Sequence, residues 1–304
     1  MKILLKHQLW IALLLIALCG GCAAHSVQAP DTHVPITSSV DALIVILTGV
    51  FVGVVGTLVG AGGGWLHVPI LLIFYGFSPL HAIGTSMVAV FLNALSGTFS
   101  YIHQERIDYE LGIKFAVFAI PGLFMGSLTA QYFNTVVFSL LLAAVLMGLS
   151  YSLLFLRDLK VVCAKTESDP ETRIIRDSIG GVHTYSPDLS VGYGGSFLVG
   201  IVSGLFGIGG GLLHVPMMNF IGIPIHIAAA TSHFIITITS LFGILIFFGM
   251  HAIDFDYAIF LGVGVILGAY YGAKLAMIAS PDMIKKIISG LLLFVAVRLI
   301  INVL

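Results

Sequence analysis

The sequence has few charged residues: Asp, Glu, Lys and Arg make up 9% of it, against about 25% in an ordinary soluble domain. Because 59% of the residues are apolar, the chain lacks the polar groups to cover itself with a solvated surface. The formal net charge of -1 leaves no basic surplus to neutralise a phosphate backbone. These shortages exclude an ordinary soluble globular protein and leave nucleic-acid binding without support.

Cysteine is scarce as well. The three cysteines are Cys19, Cys22 and Cys163, and their spacing matches neither a disulfide framework nor a zinc site. We therefore expect no metal and no cofactor.

Residues 1–35 have the layout of a secretory signal, with two lysines before an apolar run and small residues after it. This pattern predicts either a cleaved signal peptide or a retained signal anchor, followed by a short extension. Lipidation of Cys22 is a third alternative, which Cys19, three places before it, disfavours.

One segment of the chain occurs twice. Residues 60–69, GAGGGWLHVP, match residues 207–216, GIGGGLLHVP, at eight of ten positions. After an offset of one residue, the agreement continues with Thr85-Ser86 against Thr231-Ser232, Ile107-Asp108-Tyr109 against Ile253-Asp254-Phe255, and Gly122 and Gly126 against Gly268 and Gly272. Internal duplication of apolar units is typical of secondary transporters, whose substrate site lies between the two halves.

The apolar runs predict an all-α polytopic membrane protein with two homologous transmembrane repeats, residues 36–156 and 191–304, joined by a polar linker, residues 157–190. Helices are expected near 40–59, 65–75, 79–102, 110–131 and 135–156, then near 191–206, 212–222, 226–249, 256–277 and 282–303. A helix over 65–75 is about 16 Å long, too short for a hydrocarbon core of about 30 Å, and should be a half-helix.

Charge predicts the orientation of the repeats. The linker carries five Lys and Arg residues, which places it in the cytoplasm of a bacterium with the chain in the inner membrane. The loop with Arg106 is then cytoplasmic, whereas the matching loop around His251 and Asp254 has no Lys or Arg. This asymmetry favours inverted repeats, each crossing the membrane an odd number of times. Parallel repeats of four crossings are the alternative.

The doubled glycine motif with Pro69, the Thr85-Ser86 pair and the second copies of both resemble the TauE/SafE family of sulfite and organosulfonate exporters. The resemblance covers about residues 40–304. It implies a transporter, not an enzyme, that exports a small anion such as sulfite or an organosulfonate from the cytoplasm. The N-terminal extension and the long linker depart from the family pattern.

The glycines are the first candidate site residues. Three consecutive glycines raise the entropic cost of a helix, and the N–H groups freed at a helix break can bind an anion at the start of a half-helix. Two such breaks would enclose one oxyanion between the repeats, near the middle of the bilayer. The alternative is that these glycines only allow helices to pack closely. They are Gly62, Gly63, Gly64, Gly209, Gly210 and Gly211.

Six polar side chains in the third helix of each repeat are further candidate donors to the substrate, namely Thr85, Ser86, Asn93, Thr231, Ser232 and His233. Each has a structural alternative. The hydroxyls can bond their own helix backbone, Asn93 can join two helices, and a buried histidine can be purely structural.

A metal-dependent integral membrane enzyme is the rival function. It would use the histidines of the apolar segments, His67, His103, His214 and His233, but none has a partner at ligand spacing. A cation transporter would need carboxylates within the bilayer, and the nearest ones, Asp108, Glu110, Asp254 and Asp256, fall at predicted loops. N–H, hydroxyl and imidazole groups suit an anion. The expected partners are therefore the small anion and the lipid bilayer, and a homo-oligomer is left open.

Overall fold

The computed structural model describes residues 34–60, 62–155, 172–178, 180–276 and 281–303. The three cysteines, and all but the last two residues of the predicted signal segment, lie outside these ranges.

Ten helices account for most of the described residues. Each of their ends lies within two residues of the sequence prediction. The helices are α1 (Ser39–Val59), α2 (Gly64–Phe74), α3 (Pro79–His103), α4 (Tyr109–Ala130), α5 (Thr135–Phe155), α6 (Leu189–Phe206), α7 (Gly211–Phe220), α8 (Ile225–Gly249), α9 (Phe255–Ala276) and α10 (Pro281–Ile301). In the described part of the chain, seven helices are long and apolar enough to cross a membrane. The protein is therefore an all-α polytopic membrane protein, as predicted.

The two carboxylates of the duplicated Ile-Asp motif begin helices. Asp108 accepts a hydrogen bond from the N–H of Leu111 at 3.0 Å, and Asp254 accepts one from the N–H of Tyr257 at 3.1 Å. Each satisfies a first-turn N–H group that has no partner within its own helix. Both carboxylates thus lie at helix starts, where the sequence predicted loops.

The long helices pack in pairs drawn from the two halves of the chain: α1 on α9, α4 on α6, α3 on α8, and α5 on α10. Gly122 and Gly126 of α4 admit the carbonyl groups of α6, and a Cβ atom on either would overlap the carbonyl oxygen of Phe197 or Ile201. Gly268 of α9 admits the carbonyl of Val50 in α1 in the same way. The duplicated glycines therefore allow close packing of backbones in the membrane.

Each short helix returns toward the start of the long helix before it. The N–H of Val34, ahead of α1, donates to the carbonyl of Tyr75, just after α2, at 3.2 Å. The N–H of Asp188, ahead of α6, donates to the carbonyl of Ile221, just after α7, at 3.3 Å. The pairs α1–α2 and α6–α7 thus form hairpins whose two ends lie together.

The central helices α3 and α8 run in opposite directions. The hydroxyl of Thr85, near the start of α3, accepts a hydrogen bond from the N–H of Asp254, which follows α8, at 3.0 Å. The hydroxyl of Thr231, near the start of α8, accepts one from the N–H of Asp108, which follows α3, also at 3.0 Å. Each helix therefore begins where the other ends.

The described part of the linker forms a small hairpin that the sequence analysis did not predict. Strand β1 (Arg173–Arg176) pairs antiparallel with β2 (Val182–Tyr185), with Arg173 opposite Tyr185. This linker hairpin packs on the loop between α3 and α4 through ion pairs described below.

Candidate functional site

Two glycine loops interrupt the helices at matching places. The first glycine loop, residues 60–64, joins α1 to α2, and the second, residues 207–211, joins α6 to α7. Six of their residues have positive φ angles of 67° to 77°, namely Gly60, Gly62, Gly63, Gly207, Gly209 and Gly210. Residues with a Cβ atom rarely adopt this conformation, so glycine is needed to turn the chain at these points.

The two loops meet at the crossing of α3 and α8. A Cβ atom on Gly64 would overlap the carbonyl of Gly207. A Cβ atom on Gly62 would lie 3.3 Å from Ile236 of α8, and one on Gly209 would lie 2.7 Å from Val90 of α3. Val90 and Ile236 occupy matching positions of the duplicated sequence. The loops therefore converge on the buried cluster that contains Val90 and Ile236.

The loops also leave backbone donors unpaired. At the start of α7, the N–H groups of Leu213 and His214 bond the carbonyl of Gly210, and α2 begins in the same way on the carbonyl of Gly63. The N–H groups of the six predicted glycines find no acceptor among the described residues. The start of a helix also carries a partial positive charge. Each loop thus presents the chemistry that binds an anion.

Asn93 lies against the first of these helix starts. Its Oδ1 accepts a hydrogen bond from the Thr57 hydroxyl, which fixes the orientation of the amide. Its Nδ2 lies 3.0 Å from a Cβ position on Gly63, is fully buried, and has no partner among the described residues. A buried donor left unpaired costs about 1 to 3 kcal/mol. The Asn93 amide therefore adds a free donor beside the first glycine loop.

The two predicted serines differ in their bonding. Ser86 lies beside the second glycine loop, where its hydroxyl donates to the carbonyl of Ile83 at 2.8 Å and reaches that of Gly207 at 3.5 Å. The hydroxyl of Ser232 is fully buried and has no partner in the described part of the chain. Ser232 is therefore the freer donor of the pair.

Thr85 and Thr231 connect the two halves of the chain. The Thr85 hydroxyl accepts a hydrogen bond from the N–H of Asp254, and the Thr231 hydroxyl accepts one from the N–H of Asp108. Both are fully buried. Their predicted contact with substrate remains a prediction, to which the structure adds a role in joining the two halves.

His233 lies at the first glycine loop. Its ring packs on Gly97 of α3, and Cε1 is 3.8 Å from a Cβ position on Gly60. Nδ1 lies 3.2 Å from the carbonyl of Ala229, and Nε2 is buried without a partner among the described residues.

The other histidines of the apolar segments, all within the described ranges, do not form a cluster that could bind a metal ion. His67 and His214 are each buried with both ring nitrogens unpaired, whereas His103 is exposed at the end of α3. The described residues contain no group of three or more histidine, cysteine or carboxylate side chains arranged to hold a metal ion.

The linker hairpin closes one end of the α3–α8 crossing. Arg173 contacts the Asp108 carboxylate at 2.9 Å, and the hydroxyl of Tyr185 donates to the same carboxylate at 2.8 Å. Arg106 contacts Asp177 at 3.2 Å. Burial, reinforced by the Asp108 charge, raises the pKa of Tyr185 well above its usual range, so this hydroxyl keeps its proton.

Asp177 is the ionised anchor of that hairpin. Burial would raise the pKa of its carboxyl, but hydrogen bonds from the N–H of Gly181 and from His183 and Arg106 outweigh that effect and lower it. The Asp177 carboxylate therefore stabilises the docking of the linker hairpin at any pH above the ordinary pKa of a carboxyl group. This stabilisation is lost only as the pH falls through the lowered pKa of Asp177.

The opposite end is closed by the segment before α1. The hydroxyl of Tyr257 donates to the carbonyl of Val34 at 2.5 Å, and its ring packs edge-on against Tyr75 and Phe77. All the predicted site residues are buried. In this structure the predicted site residues are therefore shielded from solvent.

Sequence reasoning missed three residues around this site. Thr57 has no counterpart in the duplicated motifs, and it acts only through Asn93. Arg173 and Tyr185 looked like ordinary linker residues, and their contacts with Asp108 become visible only in the folded chain.

Comparison with known proteins gives a consistent result. Residues 45–299 match the family model described as "Sulfite exporter TauE/SafE". The probable membrane transporter protein YunE of Bacillus subtilis is 33% identical over 254 residues, which cover 81% of this chain and 91% of the relative. The probable membrane transporter protein MJ0441 of Methanocaldococcus jannaschii is 24% identical, covering 82% of this chain and 91% of the relative. No solved structure matches.

The family match spans nearly the whole membrane region and includes both glycine loops. With seven apolar helices long enough to cross a bilayer, the chain is a multi-pass transporter protein of a bacterial membrane. It belongs to the sulfite exporter TauE/SafE family.

Proposed function

We propose that the protein exports a small oxyanion, sulfite or an organosulfonate, through a site between the two glycine loops. The observation that carries this proposal is the convergence of both loops on the Val90–Ile236 crossing, with unpaired donors around them. The N–H groups of two helix starts and the Asn93 amide beside the first of them are donors without a carboxylate among them, and the buried Ser232 hydroxyl of α8 is a further unpaired donor. Such a set stabilises negative charge and offers nothing to a cation.

The substrate class rests on the family name together with this donor set. Sulfite and sulfonates present three oxygens around one sulfur atom, and several N–H and O–H donors arranged around a point suit that shape. The Thr57 bond that orients Asn93 supports the proposal, because it leaves the donor end of the amide facing the loop.

We also propose that residues 36–156 and 191–304 are inverted repeats separated by a cytoplasmic linker. The opposite directions of α3 and α8 and the closed ends of both broken-helix hairpins support this arrangement. Each hairpin then enters and leaves on one side, so each repeat crosses three times, through α3 to α5 and through α8 to α10.

This arrangement predicts the results of topology reporters. Fusions at Thr37 and at Leu304 are expected to report the periplasm, and a fusion at Asp177 the cytoplasm, because each repeat crosses an odd number of times. Alkaline phosphatase and fluorescent protein fusions measure this directly. Reporters at Thr37 and Leu304 on opposite faces would contradict the inverted arrangement.

The transport function is tested in proteoliposomes with sulfite, sulfoacetate, taurine, thiosulfate, phosphate and chloride. We expect saturable flux of sulfite or of a sulfonate, with much slower flux of chloride, because one monatomic ion cannot engage separated donors. Protein-free liposomes supply the background, and unlabelled substrate should compete with labelled sulfite. Absence of saturable flux for every oxyanion would refute the proposal.

A further inference from the structure

The two halves of the site differ at one matching position, which is histidine in the second repeat and methionine in the first. His233 and Met87 occupy equivalent places on α8 and α3, directly after the duplicated Thr-Ser pair. Each packs on a glycine of the other central helix. The His233 ring lies on Gly97, and the sulfur of Met87 lies 3.0 Å from a Cβ position on Gly243. One of two similar packing positions therefore carries a titratable group.

The bonding of His233 fixes which nitrogen holds a proton in the neutral ring. A carbonyl oxygen only accepts, so the 3.2 Å contact with Ala229 requires a hydrogen on Nδ1. The neutral ring then has a bare lone pair on Nε2, which is buried and unpaired among the described residues. A lone pair repels an anion. Nε2 can donate to an anion only after it takes up a second proton.

In the described part of the chain, the groups around the His233 ring leave the substrate as the group that can stabilise a second proton on it. Tyr101 of α3 is the titratable side chain that packs on the ring, with centroids 5.2 Å apart. The other described neighbours carry no charge. The backbone of the first glycine loop lies near the ring at Gly60, and Gly112 of α4 packs on Phe234, the residue after His233. No carboxylate contacts the ring in the described part of the chain, so a bound anion is the natural counter-charge for an imidazolium.

We propose that His233 couples transport to protons: Nε2 binds one proton from the side on which the anion enters, donates it as a hydrogen bond to an anion oxygen, and releases it with the anion on the other side. This inference rests on the proposed function. No bond other than the N–H bond forms or breaks. Met87 has no equivalent proton, so this pair of matching positions carries one proton for each anion.

One proton moving with one monovalent anion transfers no net charge. Flux of sulfite in acidic buffer, where the hydrogensulfite monoanion predominates, should therefore respond to a pH gradient and not to a membrane potential. At equilibrium, each unit of pH difference should concentrate the anion roughly tenfold on the alkaline side, since proton and anion leave the acidic side together. In a cell with an alkaline interior, export therefore runs only while the cytoplasmic concentration of the anion exceeds the external one by more than this factor.

The test measures labelled sulfite and internal pH together in proteoliposomes, under a pH gradient or under a potassium potential set with valinomycin. The wild-type protein should accumulate sulfite under the pH gradient alone and acidify the lumen in step. His233→Gln keeps a donor that needs no proton, so its flux should lose the dependence on pH gradient and respond to the potential. His233→Met, which copies the first repeat, should lose at least about tenfold of the pH-driven flux.

His103→Gln is the matched control, because this exposed histidine lies at the end of α3, and it should behave as wild type. Flux of wild-type protein that ignores the pH gradient would overturn this inference and leave the proposed function standing. Gradient-dependent flux in a folded His233→Gln protein would also overturn it. No flux of any oxyanion by the wild-type protein would overturn the proposed function and this inference together.

Discussion

Replacement of Gly63 or Gly210 by alanine is expected to abolish transport. Both residues have left-handed backbone angles, φ of 77° and 76°, which cost an ordinary residue about 1 to 2 kcal/mol. A Cβ atom on Gly63 would also lie 3.0 Å from Nδ2 of Asn93, and one on Gly210 would lie 3.1 Å from Nδ1 of His214. The added methyl group occupies the space beside the unpaired donors. It also turns the start of α2 or α7 away from that space.

Initial rates of sulfite flux measure this effect, together with thermal stability in detergent to show that the variants fold. Gly148→Ala and Gly290→Ala are matched controls on α5 and α10, where no atom lies within 4 Å of the added Cβ, and both should transport normally. Normal flux in Gly63→Ala and Gly210→Ala would show that the loops do not shape the site. Failure of these two variants to accumulate would favour the alternative of close packing.

The helices could be predicted from sequence because each signal was local. Apolar runs gave their lengths, and the duplicated glycines marked the breaks, since only glycine adopts the angles of Gly62 and Gly209 without strain. The pairing of α1 with α9 and of α6 with α4 was not predicted. Lipid-facing and helix-facing residues are equally apolar, so hydrophobic pattern carries little information on which helices meet in a membrane.

The linker hairpin could not be predicted, because its stability comes from contacts between distant residues. Strands of only four residues give no clear periodic signal. Arg173 reaches Asp108 across 65 positions, and Arg106 reaches Asp177 across 71. The linker was interpreted as a cytoplasmic polar stretch from its positive charge, but one of its arginines, Arg173, also fastens it over one end of the α3–α8 crossing.

The candidate site was predicted as a set of residues and not as an arrangement. Repetition in the sequence singled out Thr85 and Ser86 together, yet the structure separates their contacts. Thr85 accepts the N–H of Asp254, whereas Ser86 lies beside the second glycine loop. Two adjacent helical residues point in directions about 100° apart, so one of them faces a neighbouring loop while the other faces the centre. Only the packed structure tells which one does.

Ser232→Ala is expected to raise the sulfite concentration at half-maximal flux by roughly ten- to a hundredfold. A hydrogen bond to a charged group is worth about 1.5 to 3 kcal/mol, and each 1.4 kcal/mol or so is a factor of ten in affinity. The Ser232 hydroxyl has no partner among the described residues, so the substrate does not have to compete for it. Ser86→Ala should have a smaller effect, because its hydroxyl already donates to the carbonyl of Ile83.

Concentration series of labelled sulfite in proteoliposomes measure both variants. Ser100→Ala is the control, since that hydroxyl lies further along α3 and donates to the carbonyl of Ser96. Protein stability should change little, because removing an unpaired buried hydroxyl leaves no new group unsatisfied. A Ser232→Ala protein with the wild-type concentration dependence would place the anion elsewhere along the loops. Asn93→Leu, which removes the other unpaired donor beside Gly63, would then be the variant to weaken binding.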